Sequence, residues 1–161
     1  MSGQPSIDMN DTISRPDAIA TRQHWMSVLA RAPAEAIASA LTRAGPLPVW
    51  SRVRGPETGL VMVRGRTGGS GSPFNLGEMT VTRCTVRLGS GVAGHAYVAG
   101  RDERRAELAA VADALLQDLN TGSRDSLIGP LAAAQREQRL TRAEKAAATR
   151  VEFFAMRNMR S

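Results

Sequence analysis

The polar residues that could act together lie around one glycine-rich segment. Arg64 and Arg66 lead into the run Gly65-Arg66-Thr67-Gly68-Gly69-Ser70-Gly71-Ser72, and Asn75, Glu78, Thr80, Thr82 and Arg83 follow it. Guanidinium forks hold carboxylate or phosphate oxygens bidentately. Glycines let successive backbone N–H groups converge on an anion, and a carboxylate among hydroxyls can accept a proton. The group therefore has the makings of an anion site with a proton acceptor. The run lacks the Lys-[Ser/Thr] ending of a phosphate-binding P-loop and leads into a strand rather than a helix. It fits equally a long hairpin connection whose glycines supply positive φ. Strand register decides whether Arg64 meets Glu78: placed opposite, they form a cross-strand pair, whereas a slip of one residue sends them to opposite faces. His95 and Tyr97 share a face of the last strand and either join this group or face the helices, with packing against helices the expectation for both.

Other chemistries find less support. Cys84, His24 and His95 have no metal-ligand spacing, so no metal is expected. Cys84 falls on the side shared with Val86 and Leu88 and reads as a small buried hydrophobe rather than a reactive thiol. No serine-centred elbow is present, and no cofactor is expected on this chain. The balance of 21 Lys and Arg against 15 Asp and Glu gives a net charge of +6, carried by arginines spread along the chain with Lys145 the one lysine. Aromatic residues make up 4% of the chain, too few for a base-stacking platform, so nucleic acid is not an expected partner. A dispersed arginine set suits phosphate groups or acidic partner subunits better. One cysteine, no basic-then-apolar leader and no apolar run of about 18 residues point to a soluble cytoplasmic protein that does not enter a membrane.

The elements that must position these residues read as an α+β fold: an N-terminal helical hairpin, a four-stranded antiparallel β-meander and C-terminal helices. Residues 1–15 are polar, end before Pro16 and read as a disordered tail, leaving 16–161 as one domain. Over 17–44, Ala18, Ile19, Trp25, Met26 and Leu29 fall on one helical face. Pro33 opens a second helix that Gly45 and Pro46 close. Arg22 falls inside that apolar face, either snorkelling out or forming a buried ion pair. Residues 49–54, 60–66, 75–88 and 92–99 read as four strands joined by glycine-containing turns, the first of them Gly55-Pro56-Glu57-Thr58-Gly59. Along 75–88 the apolar parity switches, which requires a bulge near Thr82 or different packing partners at the two ends. Asp102 is the expected cap of a helix over 102–120. After a turn at 121–123, Pro130 opens a long alanine-rich helical arm with a thin apolar stripe. The ending 151–159 gathers Phe153, Phe154 and Met156, a cluster that either closes on the core or docks on another chain.

Several of these segments carry a resemblance. Arg22-Gln23-His24-Trp25-Met26, the stretch from Pro56-Glu57 to Gly65-Arg66, the block Phe74-Asn75-Leu76-Gly77-Glu78-Met79-Thr80-Val81-Thr82-Arg83-Cys84, Gly100-Arg101-Asp102, and Ala148 to Phe154 resemble, in collinear order, the PhnG family of the bacterial carbon-phosphorus lyase system. The resemblance implies a subunit of a phosphonate-degrading core complex built with PhnH, PhnI and PhnJ, two copies each about a two-fold axis. Together with an ATP-binding-cassette-type partner, the complex displaces the purine of ATP by an alkylphosphonate to give ribose 1-alkylphosphonate 5-triphosphate. ATP is then a substrate of the complex, and the iron-sulfur cluster and S-adenosylmethionine of the later C–P cleavage belong to PhnJ. The family assigns PhnG no catalytic residue. The expected role is structural, with Arg22, Glu57, Arg64, Arg66, Asn75, Glu78, Thr80, Arg83, Phe153, Phe154 and Met156 as interface or polar-site candidates. The alternative is a freestanding phosphate- or nucleotide-binding protein that uses the glycine-rich loop and its arginines.

Overall fold

The computed structural model describes residues 14–119 and 121–148. Helices α1 (Ser14–Leu29) and α2 (Ala34–Ala44) form the expected hairpin. Pro33 occupies the cap of α2 in extended geometry and its carbonyl accepts from Ile37 N–H, while Gly45 ends the helix at φ 128°, in the region that favours glycine. Trp25, Val28 and Leu29 of α1 and Ile37, Ala40 and Leu41 of α2 are buried, whereas Ile19 is exposed.

Among the described residues the sheet has three strands, not four: β1 (Trp50–Arg66), β2 (Pro73–Leu88) and β3 (Ala93–Ala99), antiparallel and in that order. The expected turn at 55–59 is instead part of β1, which runs through Gly55 and Pro56 with register shifts between Arg52 and Arg54 and between Arg54 and Glu57. β1 is an edge strand, where a bulge absorbs the extra residues and the missing N–H of Pro56 is tolerated. Gly-Pro reads as a turn only if both neighbours of the strand are assumed to need its donors.

β3 pairs with residues 81–87 of β2, so among the described residues the β1–β2 hairpin continues alone beyond Gly59 and Val81. The seven residues 60–66 carry it about 20–25 Å past the three-stranded part. At its tip a 3-10 turn (Thr67–Gly69) places Gly68 at φ 62°, closed by Gly71 N–H donating to the Thr67 carbonyl. The parity switch in β2 follows from this. Thr58 opposes Thr82 and Glu57 opposes Arg83; the register shift beside them, between Arg54 and Glu57, places its extra residue in β1, so β2 keeps its alternation and its two ends have different surroundings.

One face of the three-stranded part is covered by α3 (Glu103–Asp118), against which Thr82, Cys84, Val86, Leu88, Ala96 and Val98 are buried. α3 is itself buried around most of its circumference, between the sheet and the other helices. Asp102 caps it as expected, its side chain accepting from Arg105 N–H at 2.9 Å. The other sheet face is open: His95 and Tyr97 point there, away from the helices and contrary to expectation, because alternation along β3 gives the inner positions to Gly94, Ala96 and Val98.

α4 (Thr121–Ala148) starts nine residues before the proline expected to open it and carries Pro130 inside. A proline there costs a backbone hydrogen bond and crowds the preceding turn. Leu127, Ile128 and Leu131 flank it and are buried, so packing holds the helix continuous through the proline. Beyond Gln135 α4 is exposed, as expected of an arm. Residues 1–13 of the expected tail and the Phe153, Phe154 and Met156 cluster lie outside the described residues, while Ser14 and Arg15 belong to α1.

Candidate functional site

The residues around the glycine-rich loop are distributed along the hairpin rather than gathered at one point. Arg64 opposes Asn75, Glu78 opposes Met62, and Thr80 opposes Leu60. Arg66 reaches the loop's own carbonyl at Gly71 through Nη1 at 3.2 Å. The loop thus closes on itself as a hairpin tip. Nearer the base, Glu57 accepts from Arg54 at 2.9 Å and from Arg83 at 3.1 Å, a cross-strand cluster on the open face. Hydrogen bonding from Arg54, reinforced by Arg83, holds the Glu57 carboxyl below the ordinary carboxylate range and raises Arg54 above its own.

A second feature of the hairpin is apolar. Residues directly opposite in an antiparallel pair share a face, which puts Val61 with Met79 and Gly65 with Phe74. The register shift at Val63 and Arg64 leaves Leu76 without a partner, and this single-residue bulge turns Phe74 and Leu76 to the face of Val61, Val63 and Met79. A Cβ at Gly65 would lie 3.5 Å from the Phe74 ring and 3.6 Å from Leu76, so both side chains lie across the glycine. The stripe Val61, Val63, Phe74, Leu76 and Met79 lies on the side of the sheet away from α3, with Phe74, Leu76 and Met79 exposed by 44%, 65% and 42%. Without the bulge, Phe74 and Leu76 would share a face with Glu78 and Thr80.

Arg22 makes the ion pair. Its Nε and Nη2 donate to the two carboxylate oxygens of fully buried Asp113 at 3.2 and 2.8 Å. Trp25 Nε1 and the His95 backbone N–H donate to the same carboxylate at 2.8 and 2.9 Å. α1, α3 and β3 therefore meet on one carboxylate. Thr82, buried, donates to the Gly100 carbonyl at 2.7 Å and accepts from Asp102 N–H at 3.2 Å, which fixes the link from β3 into α3. Gly100 sits there at φ 88°, where a side chain would be strained.

Cys84 is buried, and burial, with the Glu107 charge nearby, pushes its thiol above the ordinary value. Glu107 accepts from Arg52 at 2.8 and 2.7 Å and from Trp50 Nε1 at 3.3 Å. The Arg52 hydrogen bonds hold its carboxyl below the ordinary range. A carboxyl depressed in the folded state contributes stability that is present above its unfolded pKa and lost as pH falls through the folded one. Thermal stability should accordingly be level near neutrality and fall below about pH 4. Glu107→Gln should lower the neutral-pH melting temperature and shrink that acid-side fall; a fall of unchanged size in the variant would refute the assignment.

The chain is similar to known proteins along nearly all of this framework. The family described as phosphonate metabolism protein PhnG matches residues 20–158. This chain belongs to the PhnG family. It is also 48% identical over 139 residues, covering 86% of this chain and 89% of the relative, to the alpha-D-ribose 1-methylphosphonate 5-triphosphate synthase subunit PhnG of Rhizobium meliloti (strain 1021). The matched span includes α1 from its second turn, the whole hairpin and α4. Among the described residues no helix is long and apolar enough to cross a membrane, and no group of His, Cys, Asp and Glu could hold a metal ion.

Asp113 and the apolar side of the hairpin are what reading the sequence alone overlooked. A lone aspartate inside Leu108-Ala109-Ala110-Val111-Ala112-Asp113-Ala114-Leu115-Leu116 matches a lone arginine inside an apolar α1 face, and that complementarity was a usable signal. The apolar stripe gave none, since its two halves differ in parity until the bulge is known.

Proposed function

We propose that this chain is an assembly subunit of a ribose 1-alkylphosphonate 5-triphosphate synthase, working in the cytoplasm with PhnH, PhnI and PhnJ, two copies each about a two-fold axis, and with an ATP-binding-cassette-type partner. The reaction is displacement of the purine of ATP by an alkylphosphonate, and the iron-sulfur and S-adenosylmethionine chemistry that follows lies on PhnJ. The observation that carries the assembly role is a hairpin without a partner among the described residues: two strands alone cannot bury a stripe of Val61, Val63, Phe74, Leu76 and Met79, and an exposed apolar face of this kind marks a protein interface. Its polar edge, Arg64, Arg66, Asn75 and Glu78, supplies the rim that such interfaces have. The carboxylates of Glu57, Glu107 and Asp113 are each engaged by arginine within the chain, which favours a positioning role over acid–base work.

The test is co-purification of the tagged chain with PhnH, PhnI and PhnJ, followed by adenine release from ATP with methylphosphonate after the cassette-type partner is added. Phe74→Asp should reduce partner retention and adenine release by roughly tenfold or more, since a buried interfacial aromatic is a common hot spot, while leaving the melting temperature of the isolated chain unchanged. Full retention by that variant would remove the hairpin from the interface. Nucleotide turnover by the chain alone would favour a freestanding nucleotide-binding protein.

A further inference from the structure

We propose that a cavity of about 530 Å³ between the end of α1, the end of β3, the first turn of α3 and the arm of α4 is a binding site for an oligophosphate group. Arg31, Arg105, Arg139 and Arg142 line it with Gln135 and Gln138, and among the described residues no carboxylate lines it. Its volume is that of a small-ligand site. The inference concerns this chain's own residues and does not depend on the subunit reading.

Several arginines elsewhere in the molecule are already neutralised. Arg22, Arg52, Arg54, Arg83 and Arg104 each have a carboxylate within ion-pair distance: Asp113, Glu107, Glu57 for two of them, and Glu35. Among the described residues Arg139 and Arg142 have no ion-pair or hydrogen-bond partner, although they sit three apart on one helix, where like charges repel. Among the described residues Arg31 has the Ser27 hydroxyl alone. Arg105 is held in place by its Nη2 donating to the Ala99 carbonyl, yet its Nε is buried with no hydrogen-bond partner, and the Asp102 carboxylate stands 3.6 Å away. Arg139 and Arg142, left without a carboxylate beside Arg31 and the Asp102-paired Arg105, form a set of cations that an anion would complete.

The geometry of α4 keeps these groups together. Gln135, Gln138, Arg139 and Arg142 follow the spacing i, i+3, i+4, i+7 and share one face. Gln135 Nε2 donates to the Val28 carbonyl at 2.8 Å and ties that face to α1. The first turn of α3, which carries Arg105, closes the third side. Several guanidinium forks with amide donors between them match a chain of phosphates, whose oxygens are many and adjacent, better than a single carboxylate.

The experiment titrates the full chain with inorganic tripolyphosphate, ATP and adenosine by calorimetry. Saturable one-to-one binding is expected for tripolyphosphate and ATP and none for adenosine. Arg139→Ala and Arg142→Ala, both on an exposed helix face, should each weaken it by roughly tenfold, while Arg64→Ala at the far hairpin should not. Circular dichroism melts of each variant separate lost binding from lost folding, and Arg139→Lys should recover part of the affinity if the site reads charge. Absence of saturable tripolyphosphate binding, equal binding of adenosine, or equal weakening by Arg64→Ala would each overturn the site. Binding by the free chain that vanishes once partners assemble would also overturn it and assign the cavity to acidic partner side chains.

Discussion

Asp113→Ala will lower the stability of this protein by about 3 kcal/mol, the lower end of the cost of breaking a buried ion pair, because Asp113 is fully buried while the Arg22 side chain is 35% exposed. For a chain of this size that corresponds to a fall in melting temperature on the order of 10 °C. The effect is large because the carboxylate serves three elements at once. Deleting it strands the buried Trp25 Nε1 and the His95 backbone N–H and frees Arg22 from α3. Each stranded buried donor carries its own desolvation cost. Arg22→Ala should cost as much or nearly so, because it leaves the carboxylate buried without its cation. The double variant Arg22→Ala with Asp113→Ala should cost less than the sum of the two, the mark of a coupled pair. Thermal melts of the three variants decide it, and a loss below about 1 kcal/mol for Asp113→Ala would show that the pair is dispensable.

Gly94→Ala is expected to be still more damaging, preventing recovery of folded protein. A Cβ at this position would lie 2.0 Å from the Ala110 carbonyl oxygen, 2.6 Å from the Ala114 nitrogen and 2.7 Å from its Cβ. Two of these atoms are helix backbone, so no rotamer change relieves the clash. α3 would have to lift off β3, and Val98, Ala109, Val111 and Leu116 would lose their close packing. Gly59→Ala is the control: its added methyl meets nothing within 4 Å, and melting should change little. Soluble Gly94→Ala protein with a melting curve like that of the parent would mean that the sheet and α3 are not in the close contact described. Either variant also bears on assembly, since α3 is the support from which the hairpin extends.

The helical hairpin, the cap at Asp102 and the strand character of 75–88 were legible in the sequence because they rest on local rules. Pro33 and Gly45 punctuate backbone conformation wherever they occur, Asp102 satisfies the N–H of Arg105 three residues on, and side chains in a strand alternate. Membership of the PhnG family was legible too, since it rests on the order of residues itself. The long-range features were not. Whether Gly55-Pro56 turns the chain depends on β1 being an edge strand, and whether Pro130 opens a helix depends on Leu127, Ile128 and Leu131 finding a core. The side on which His95 and Tyr97 emerge was set by Gly94, the one position on β3 that admits α3 so closely.

The candidate residues divide in the same way. Composition alone supplied the arginines, and the sequence placed an arginine inside the apolar face of α1 without naming its partner. Only the tertiary structure brought Asp113 to Arg22 from 91 positions away. It also joined Phe74 and Leu76 to Val61, Val63 and Met79 through a one-residue bulge, and collected Arg31, Arg105, Arg139 and Arg142 around one cavity. Residue type and near-neighbour spacing govern caps, turns and periodicity, all of which act over a few positions. Ion pairing, strand register and cavity lining depend on which distant segments the burial of apolar surface forces together, and so they exist only once the chain has folded.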